Sequence, residues 1–492
     1  MSAAANPERQ TVPAVAPPLA QRRPPRCPDY VEVTTVDELL PYLEVVARRP
    51  YNQGLHPSWD IQRGERVLLQ VDNWHDPLCI EAAVKTIERF GATCTVETKD
   101  RGPIPQFEGH DEVEFFLDFT KELAELMDRW HELEATADYD KVLWGFGGPI
   151  LGDTKFRIQR MPFITPEMLA NQAHLMPIEV LHALDEWTWQ RISHAERVHI
   201  TDPEGTDLSY TNHARYYDHE RRFFDPGLIA EWFPGNEDYA KRPLQGHIWG
   251  KPWVYLPQEF EDGRGVIAGT MNHIGPHPAI RMTVRDSKVQ EIEGGGRYGD
   301  KLRALQERTE SMQFPGHPSK GLLHWWEASI GTNPKIHRPR RDYLKGWTCG
   351  LYERMRSGVV HIGFGTIVSS EPEREAIRQG LPAGHFHVHL YFPTIEAEMV
   401  GGGTETVVDA GRLVGLDDPE VREVAAKYGD PDELLAEQWV PAIPGINMDG
   451  DYRRDYAEDP LDWTMTELHV CRRWHHLYMK MISGDGGQHG GH

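Results

Sequence analysis

The sequence predicts an α/β domain, an open sheet covered by helices, followed by a β-rich α+β domain that binds a metal. Three observations carry this reading. Strand-like and helix-like segments alternate between residues 65 and 146, and short alternating strands replace them from about residue 198. A His-x-His-x-His run then lies late in the second region. At 492 residues the chain exceeds the usual size of one domain. We divide it into a Pro-rich tail (1–29), an α/β domain (30–195), a β-rich metal-binding catalytic domain (196–415), and a helical extension with a Gly/His tail (416–492).

Taken in order, Glu65 to Val71 (ERVLLQV) reads as a short buried strand. Asp76-Pro77 then supplies an N-cap and a first helical residue, Ile80, Val84, Ile87 and Phe90 follow at helical spacing, and Gly91 supplies a stop. Thr93 to Thr98 is the second strand. A long amphipathic helix follows, with Phe115, Phe116, Phe119, Leu123, Met127 and Trp130 on one face, before a third strand at Lys141 to Phe146. The second domain begins with Val198 to Leu208. Val266 to Met271, Ala279 to Val284 and Val289 to Ile292 alternate as half-buried strands do, and Gly358 to Ile367 and His385 to Phe392 continue the pattern. Helical stretches are expected near Asp418 to Tyr428 and Thr466 to Met481. Gly294 to Gly299 (GGGRYG) matches a dinucleotide fingerprint literally. Its preceding strand is polar and no acidic strand end follows, so a hairpin exit into a helix is the better reading.

Composition removes several function classes. The net charge of -24 argues against nucleic acid or an anionic membrane surface as a partner. No stretch approaches the roughly 18 uninterrupted apolar residues that span a bilayer, and the N-terminus lacks the apolar core of a signal peptide. The 5 cysteines are scattered and never spaced as CxxC, so we expect neither a disulfide framework nor a zinc–thiolate site, and a cytoplasmic location. P-loop, nucleophile-elbow and HExxH patterns are missing.

The strongest local signal is His385-Phe386-His387-Val388-His389. Alternate residues of a strand share a face, so three imidazoles project together. Their desolvation is costly, and a metal that takes neutral imidazole relieves it. A second His-bearing strand, Gly358 to Gly365, places His361 between β-branched residues and glycines, as suits a ligand beside a closely approached backbone. Glu327, in His324-Trp325-Trp326-Glu327-Ala328-Ser329, sits among bulky aromatics that are hostile to an unpaired carboxylate. Its partner is a metal, a ligand His, or one of Arg338, Arg340 and Arg341. A cupin is rejected, because Glu396 lies too far from the His pair and the α/β half would be left unexplained.

Four ordered motifs, VHITDPEGTDL (198–208), EASIGTNP (327–334), HIGFG (361–365) and HVHLYF (387–392), resemble the aminopeptidase T family of metallopeptidases and its relatives, the 2,5-dihydroxypyridine 5,6-dioxygenases. The resemblance covers about residues 60–415. It implies an N-terminal α/β domain, a C-terminal metal domain and a homo-oligomer, a dimer. The peptidases hold two metals. At the place of their first Glu this chain reads Gly250-Lys251-Pro252-Trp253-Val254-Tyr255, their Tyr falls at Val368, and the Asp of their His-x-Asp pair is replaced by His389. The site pattern is closer to the dioxygenases, which bind one Fe(II). Carried over residue by residue, the ligands are His361, His387 and His389, with Glu327 as a fourth ligand or a base; an alternative register aligns His389 with Tyr391.

The resemblance thus implies a mononuclear non-heme Fe(II) dioxygenase that opens a hydroxylated aromatic or N-heteroaromatic ring, with O2 and a small aromatic substrate as partners. The alternatives are a zinc- or cobalt-dependent aminopeptidase or amidase, and a non-catalytic metal-binding relative. His385 or Glu327 would accept a proton from the substrate, and Arg338 or Arg340 would hold a substrate carboxylate.

Overall fold

Four strands open the chain: β1 (Arg66–Asp72), β2 (Thr93–Lys99), β3 (Lys141–Trp144) and β4 (Arg157–Arg160). They form a parallel sheet in the order β2-β1-β3-β4. The structure, a computed structural model, describes residues 18–28, 30–51, 54–103, 108–136, 139–145, 157–161, 164–212, 217–218, 223–224, 246–251, 255–339 and 349–467. The expected end of the third strand (Phe146), the start of the N-terminal tail and the chain beyond residue 467 lie outside them.

The helix Pro77–Arg89 links β1 to β2. Asp76 caps it by accepting from the Leu78 N–H at 3.0 Å, and Gly91 stops it in the left-handed region at φ 82°. Val67, Leu69 and Ile87 pack there with Leu39, Leu43 and Val46 of the helix Val36–Arg48. The long helix Glu112–Thr136 covers the other side and buries Phe116, Leu123, Met127 and Trp130 as its sequence pattern predicts. The N-terminal region is thus an α/β layer structure.

The later strands are antiparallel. β5 (Ala195–Thr201) and β6 (Asp207–Thr211) precede a two-residue pair, β7 (Tyr217–Asp218) and β8 (Phe223–Phe224). Then come β9 (His247–Lys251), β10 (Arg264–Met271), β11 (Pro276–Arg285), β12 (Lys288–Gly294), β13 (Trp325–Gly331), β14 (Val360–Gly365) and β15 (His385–Leu390). β16 (Thr394–Met399), β17 (Thr404–Asp409) and β18 (Arg412–Leu413) close the set. One sheet runs β12-β11-β10-β6-β5-β16-β17-β18 and a second runs β15-β14-β13-β9.

The two sheets meet where β10 packs on β15. A Cβ on Gly269 would fall 2.6 Å from Val388 Cγ1, so the missing side chain permits the approach. The glycine run after β12 is a hairpin exit. Gly294, Gly295 and Gly296 have φ of 66°, 76° and 50°, and the helix Gly296–Thr309 follows. Asp418 caps the helix Pro419–Ala425, inside the stretch where the sequence predicts one.

One cysteine departs from expectation. Cys27 is disulfide-bonded, while Cys79 and Cys94 are free, so the partner sulfur is not among the described side chains. Scattered spacing says nothing about which cysteines the fold brings together, and that is why the sequence argument missed it. No helix among the described residues is long and apolar enough to cross a membrane.

The loop after β14 is built around a buried acid. Glu373 accepts from the Thr366 hydroxyl at 2.6 Å and the Ser369 N–H at 2.7 Å, while Ser370 caps its helix, Glu371–Arg378. Burial pushes Glu373 up to about 8 from its ordinary 4.5. Between those two values the unfolded chain loses a proton that the folded chain keeps, so this group's contribution to stability falls as pH rises through that window. Glu373→Gln should flatten the fall. Urea midpoints measured from pH 5 to 8 will check this, and a slope as steep as wild type would contradict it.

Candidate metal centre

The residues from Trp325 to Gly331, Val360 to Gly365 and His385 to Leu390 are buried throughout, so these strands have no solvent face. Their register arranges polar groups in rows. Glu327 pairs with Gly363, which pairs with His387. Ser329 pairs with His361, which pairs with His389. Gly365 pairs with His385, and His247 of β9 pairs with Gly331. One face of the sheet therefore carries a carboxylate among five imidazoles, and a glycine stands at its centre.

Glu327 organises this face. Its Oε1 accepts from the Ser329 hydroxyl at 2.7 Å and from His247 Nε2 at 3.0 Å. Its Oε2 faces inward, 2.9 Å from His385 Nε2 and 3.2 Å from His361 Nε2. Burial alone would raise Glu327, but the adjacent His361, with His247 and His385, holds it well below the usual carboxylate value. Burial drives His361 down to about 3, and His273, His387 and His389 well below their ordinary value. Glu327 thus lies among rings of which His361, His273, His387 and His389 are held neutral.

Hydrogen-bond direction then decides what the donors can do. His385 Nδ1 lies 2.6 Å from the Thr366 carbonyl, which can only accept, so this nitrogen carries the ring's proton. In the neutral ring Nε2 is therefore a bare lone pair, and it faces a carboxylate oxygen at 2.9 Å. Two acceptors at that distance need a cation between them, a proton or a metal ion. His361 Nδ1 and His389 Nδ1 are buried without a hydrogen-bond partner. Groups whose ligand atoms lie within 4.8 Å of one another include His361–His385–His387 and His247–Glu327–His361, so the donor set suits a metal.

A second layer comes from elsewhere in the chain. β15 is a sheet edge, and its His387 N–H donates to Glu112 Oε2 at 3.1 Å, while the Tyr298 hydroxyl donates to the His387 carbonyl at 3.1 Å. Glu112 also lies 2.9 Å from His387 Nδ1 through Oε1, and the single proton of the Tyr298 hydroxyl is shared between Glu112 Oε2 and the His387 carbonyl. Burial pushes Glu112 up to about 8. His273, on the turn between β10 and β11, stacks on His387 with centroids 3.5 Å apart. Its Nδ1 lies 2.8 Å from His389 Nε2 and its Nε2 lies 2.7 Å from Arg354 Nη1.

The structure brings together Glu327, His361, His385, His387 and His389, and adds Glu112, His247, His273 and Arg354. Of these four, His247 carried a faint signal, a His on a short strand beside a glycine (HIWGK). Glu112 looks like an ordinary acid at a helix start, His273 like a turn residue and Arg354 like part of a basic run. Arg338 is not with the imidazoles' carboxylate. It is buried, paired with Glu353 at 2.8 Å and Glu467 at 2.9 Å, and donates to Tyr391 at 2.9 Å. Arg340 and Arg341 lie outside the described residues. Trp325 and Trp326 are fully buried and donate to the Glu327 and Gly365 carbonyls, as core residues.

No family model and no curated protein matches the chain. Solved structures similar to it include the 2,5-dihydroxypyridine dioxygenase of Pseudomonas putida KT2440, at 14% identity and TM-score 0.44 over 79% of this chain and 99% of that one. Wild-type AmpT from Thermus thermophilus aligns at 15% identity and TM-score 0.42, over 77% of this chain and 99% of that one. Likeness at this level concerns overall architecture and assigns no chemistry.

Gly363 is the sharpest test of the geometry. A Cβ there would lie 2.3 Å from His385 Nε2 and 2.8 Å from Glu327 Oε2, both rigidly held. Gly363→Ala should weaken metal retention by about 10–100-fold, as displacing ligand supports does elsewhere, with the far-UV circular dichroism unchanged. Metal titration of both proteins will check it, and equal affinities would show that the converging atoms hold no ion.

Proposed function

We propose that the chain is a mononuclear non-heme iron oxygenase acting on a small hydroxylated aromatic or N-heteroaromatic compound. One observation supports this best: Nε2 of His385, whose Nδ1 proton is held by the Thr366 carbonyl, confronts the single inward carboxylate oxygen of Glu327, with His361 and His387 beside them. A carboxylate with imidazoles, leaving positions open, is the donor chemistry that suits Fe(II) in oxygenases. When bound, iron would supply the redox couple through which an electron-rich ring and O2 react. In this reading His385 joins His361, His387 and Glu327 as a ligand, and His389 stands behind them, its Nε2 engaged by His273.

The protein's own groups have definite tasks. His247 and Ser329 hold Oε1 of Glu327, so only Oε2 is turned inward. The Thr366 carbonyl fixes the proton of His385, and Glu112 orients His387. Phe116, whose ring lies 4.9 Å from that of His387, helps close the site to water. A two-metal hydrolase needs further carboxylates for its second ion. Glu112 is the other carboxyl grouped with these imidazoles among the described residues. Tyr298, the His273 N–H, the His387 N–H and His387 Nδ1 already occupy its oxygens.

Two measurements test this. Elemental analysis of protein reconstituted anaerobically should give about one iron per chain, and His385→Ala or Glu327→Gln should each remove most of it. Oxygen uptake with dihydroxypyridines or catechols should then require Fe(II) and fail with zinc, which has no accessible redox state. Two tightly held metals, or peptide hydrolysis by the zinc form under nitrogen, would overturn the proposal.

A further inference from the structure

Arg354 is a buried guanidinium with no carboxylate in contact among the described residues; the carboxylate whose charge reaches it is Glu327, without a hydrogen bond between them. It is 5% exposed, no acidic side chain among the described residues lies within ion-pair distance, and its Nε has no hydrogen-bond partner. Among the described residues its side chain donates to a neutral ring, His273 Nε2 at 2.7 Å. Arginine stays protonated at any working pH, so the charge cannot be shed by titration. A buried, unpaired cation is costly unless an anion completes it.

The surroundings show that the position is built. A Cβ on Gly350 would fall 1.9 Å from the Asn272 carbonyl, so only glycine lets the helix Cys349–Glu353 press against the turn that bears His273. The Arg354 N–H closes onto the Gly350 carbonyl at 3.1 Å. On the other side a Cβ on Gly331 of β13 would meet the Arg354 carbonyl at 2.4 Å. Two glycine contacts thus seat the arginine beside the sheet face that carries Glu327. The nearest such cations in sequence behave differently: Arg338 and Arg356 are spent on Glu353, Glu467 and Glu437.

Hydrogen-bond polarity also gives His273 and His389 their parts. Because Arg354 can only donate, His273 Nε2 accepts and its Nδ1–H donates to His389 Nε2. The proton of neutral His389 is thereby on Nδ1, a second buried donor without a partner. Both ends of the Arg354–His273–His389 chain therefore present donors and no acceptor.

We propose that Arg354 anchors the substrate through a carboxylate, so that the substrate class is an aromatic acid carrying ring hydroxyls, with His273 as a positioning residue. This rests on the oxygenase reading for the hydroxylated ring, while the carboxylate follows from Arg354 alone. The chain's net charge of -24 repels anions in general, so any preference for an acid must come from a local group.

The test uses full-length protein loaded with zinc, which binds ligands without turnover, and follows tryptophan fluorescence. Catechol is compared with 3,4- and 2,3-dihydroxybenzoate. All three carry the same vicinal hydroxyls, and the acids add a carboxylate. Wild type should bind the better acid about 10–100-fold more tightly than catechol, the range of a charged hydrogen bond. Arg354→Met should bring the two within about threefold, each affinity being taken on protein of measured zinc content, while Arg354→Lys should keep part of the preference. No preference in wild type, or an undiminished one in Arg354→Met, overturns the proposal. Should the Met variant not fold, benzoate must displace catechol from wild type far better than benzyl alcohol, and equal displacement overturns it. An Arg354-dependent acid preference without oxygen uptake would sink the oxygenase reading and leave this one standing. Oxygen uptake without that preference would do the reverse.

Discussion

The close row Glu327–Gly363–His387 is the constraint on which the rest of the site depends. Strands lie about 4.8 Å apart, so side chains in adjacent rows of one face ordinarily fill the space between them. Here the middle strand contributes no side chain, and Glu327 from one neighbour and His385 from the other reach over it until their atoms are 2.9 Å apart. Gly365, paired with His385, extends the same opening by one row. The geometry is a property of three strands in one register, and a slip of one residue would send every imidazole to the opposite face.

Keeping that register requires the edge of β15 to be closed. An edge strand exposes N–H and C=O groups, and at His387 both are taken, by Glu112 and Tyr298. Glu112 begins the long helix that follows β2, and Tyr298 belongs to the helix after β12. The edge of the metal-facing sheet is thus plugged by residues from both halves of the chain. The same carboxyl that closes the edge also orients the ring of His387, so folding and site geometry share one group.

Much of this was legible in the sequence, because the elements involved are local. β1 and its following helix follow from a buried run, an Asp-Pro cap and a terminal glycine. β14 and β15 follow from His alternation and glycine placement, and Glu327 from a carboxylate among aromatics. The residues that escaped notice are those whose meaning is tertiary. Glu112 and Tyr298 act only because two helices meet a sheet edge, and His273 and Arg354 only because Gly350 lets a helix approach a turn. The cysteine argument failed for the same reason: spacing cannot report on sulfurs brought together from distant segments.

The His-x-His-x-His pattern illustrates the limit most clearly. Period-two alternation establishes that His385, His387 and His389 share a face, yet it treats the three as equivalent. The fold makes them unlike by assigning their protons. A carbonyl can only accept, so Thr366 holds the Nδ1 proton of His385 and turns its Nε2 toward Glu327. A guanidinium can only donate, so Arg354, acting through His273, leaves His389 with its proton on Nδ1 and its Nε2 engaged. One ring is thereby prepared to give electrons to a cation and another to give a proton to an anion. Neighbours on a strand thus acquire opposite chemistry from loops far away in sequence, and roles within such a ladder are to be read from the partner of each ring's second nitrogen.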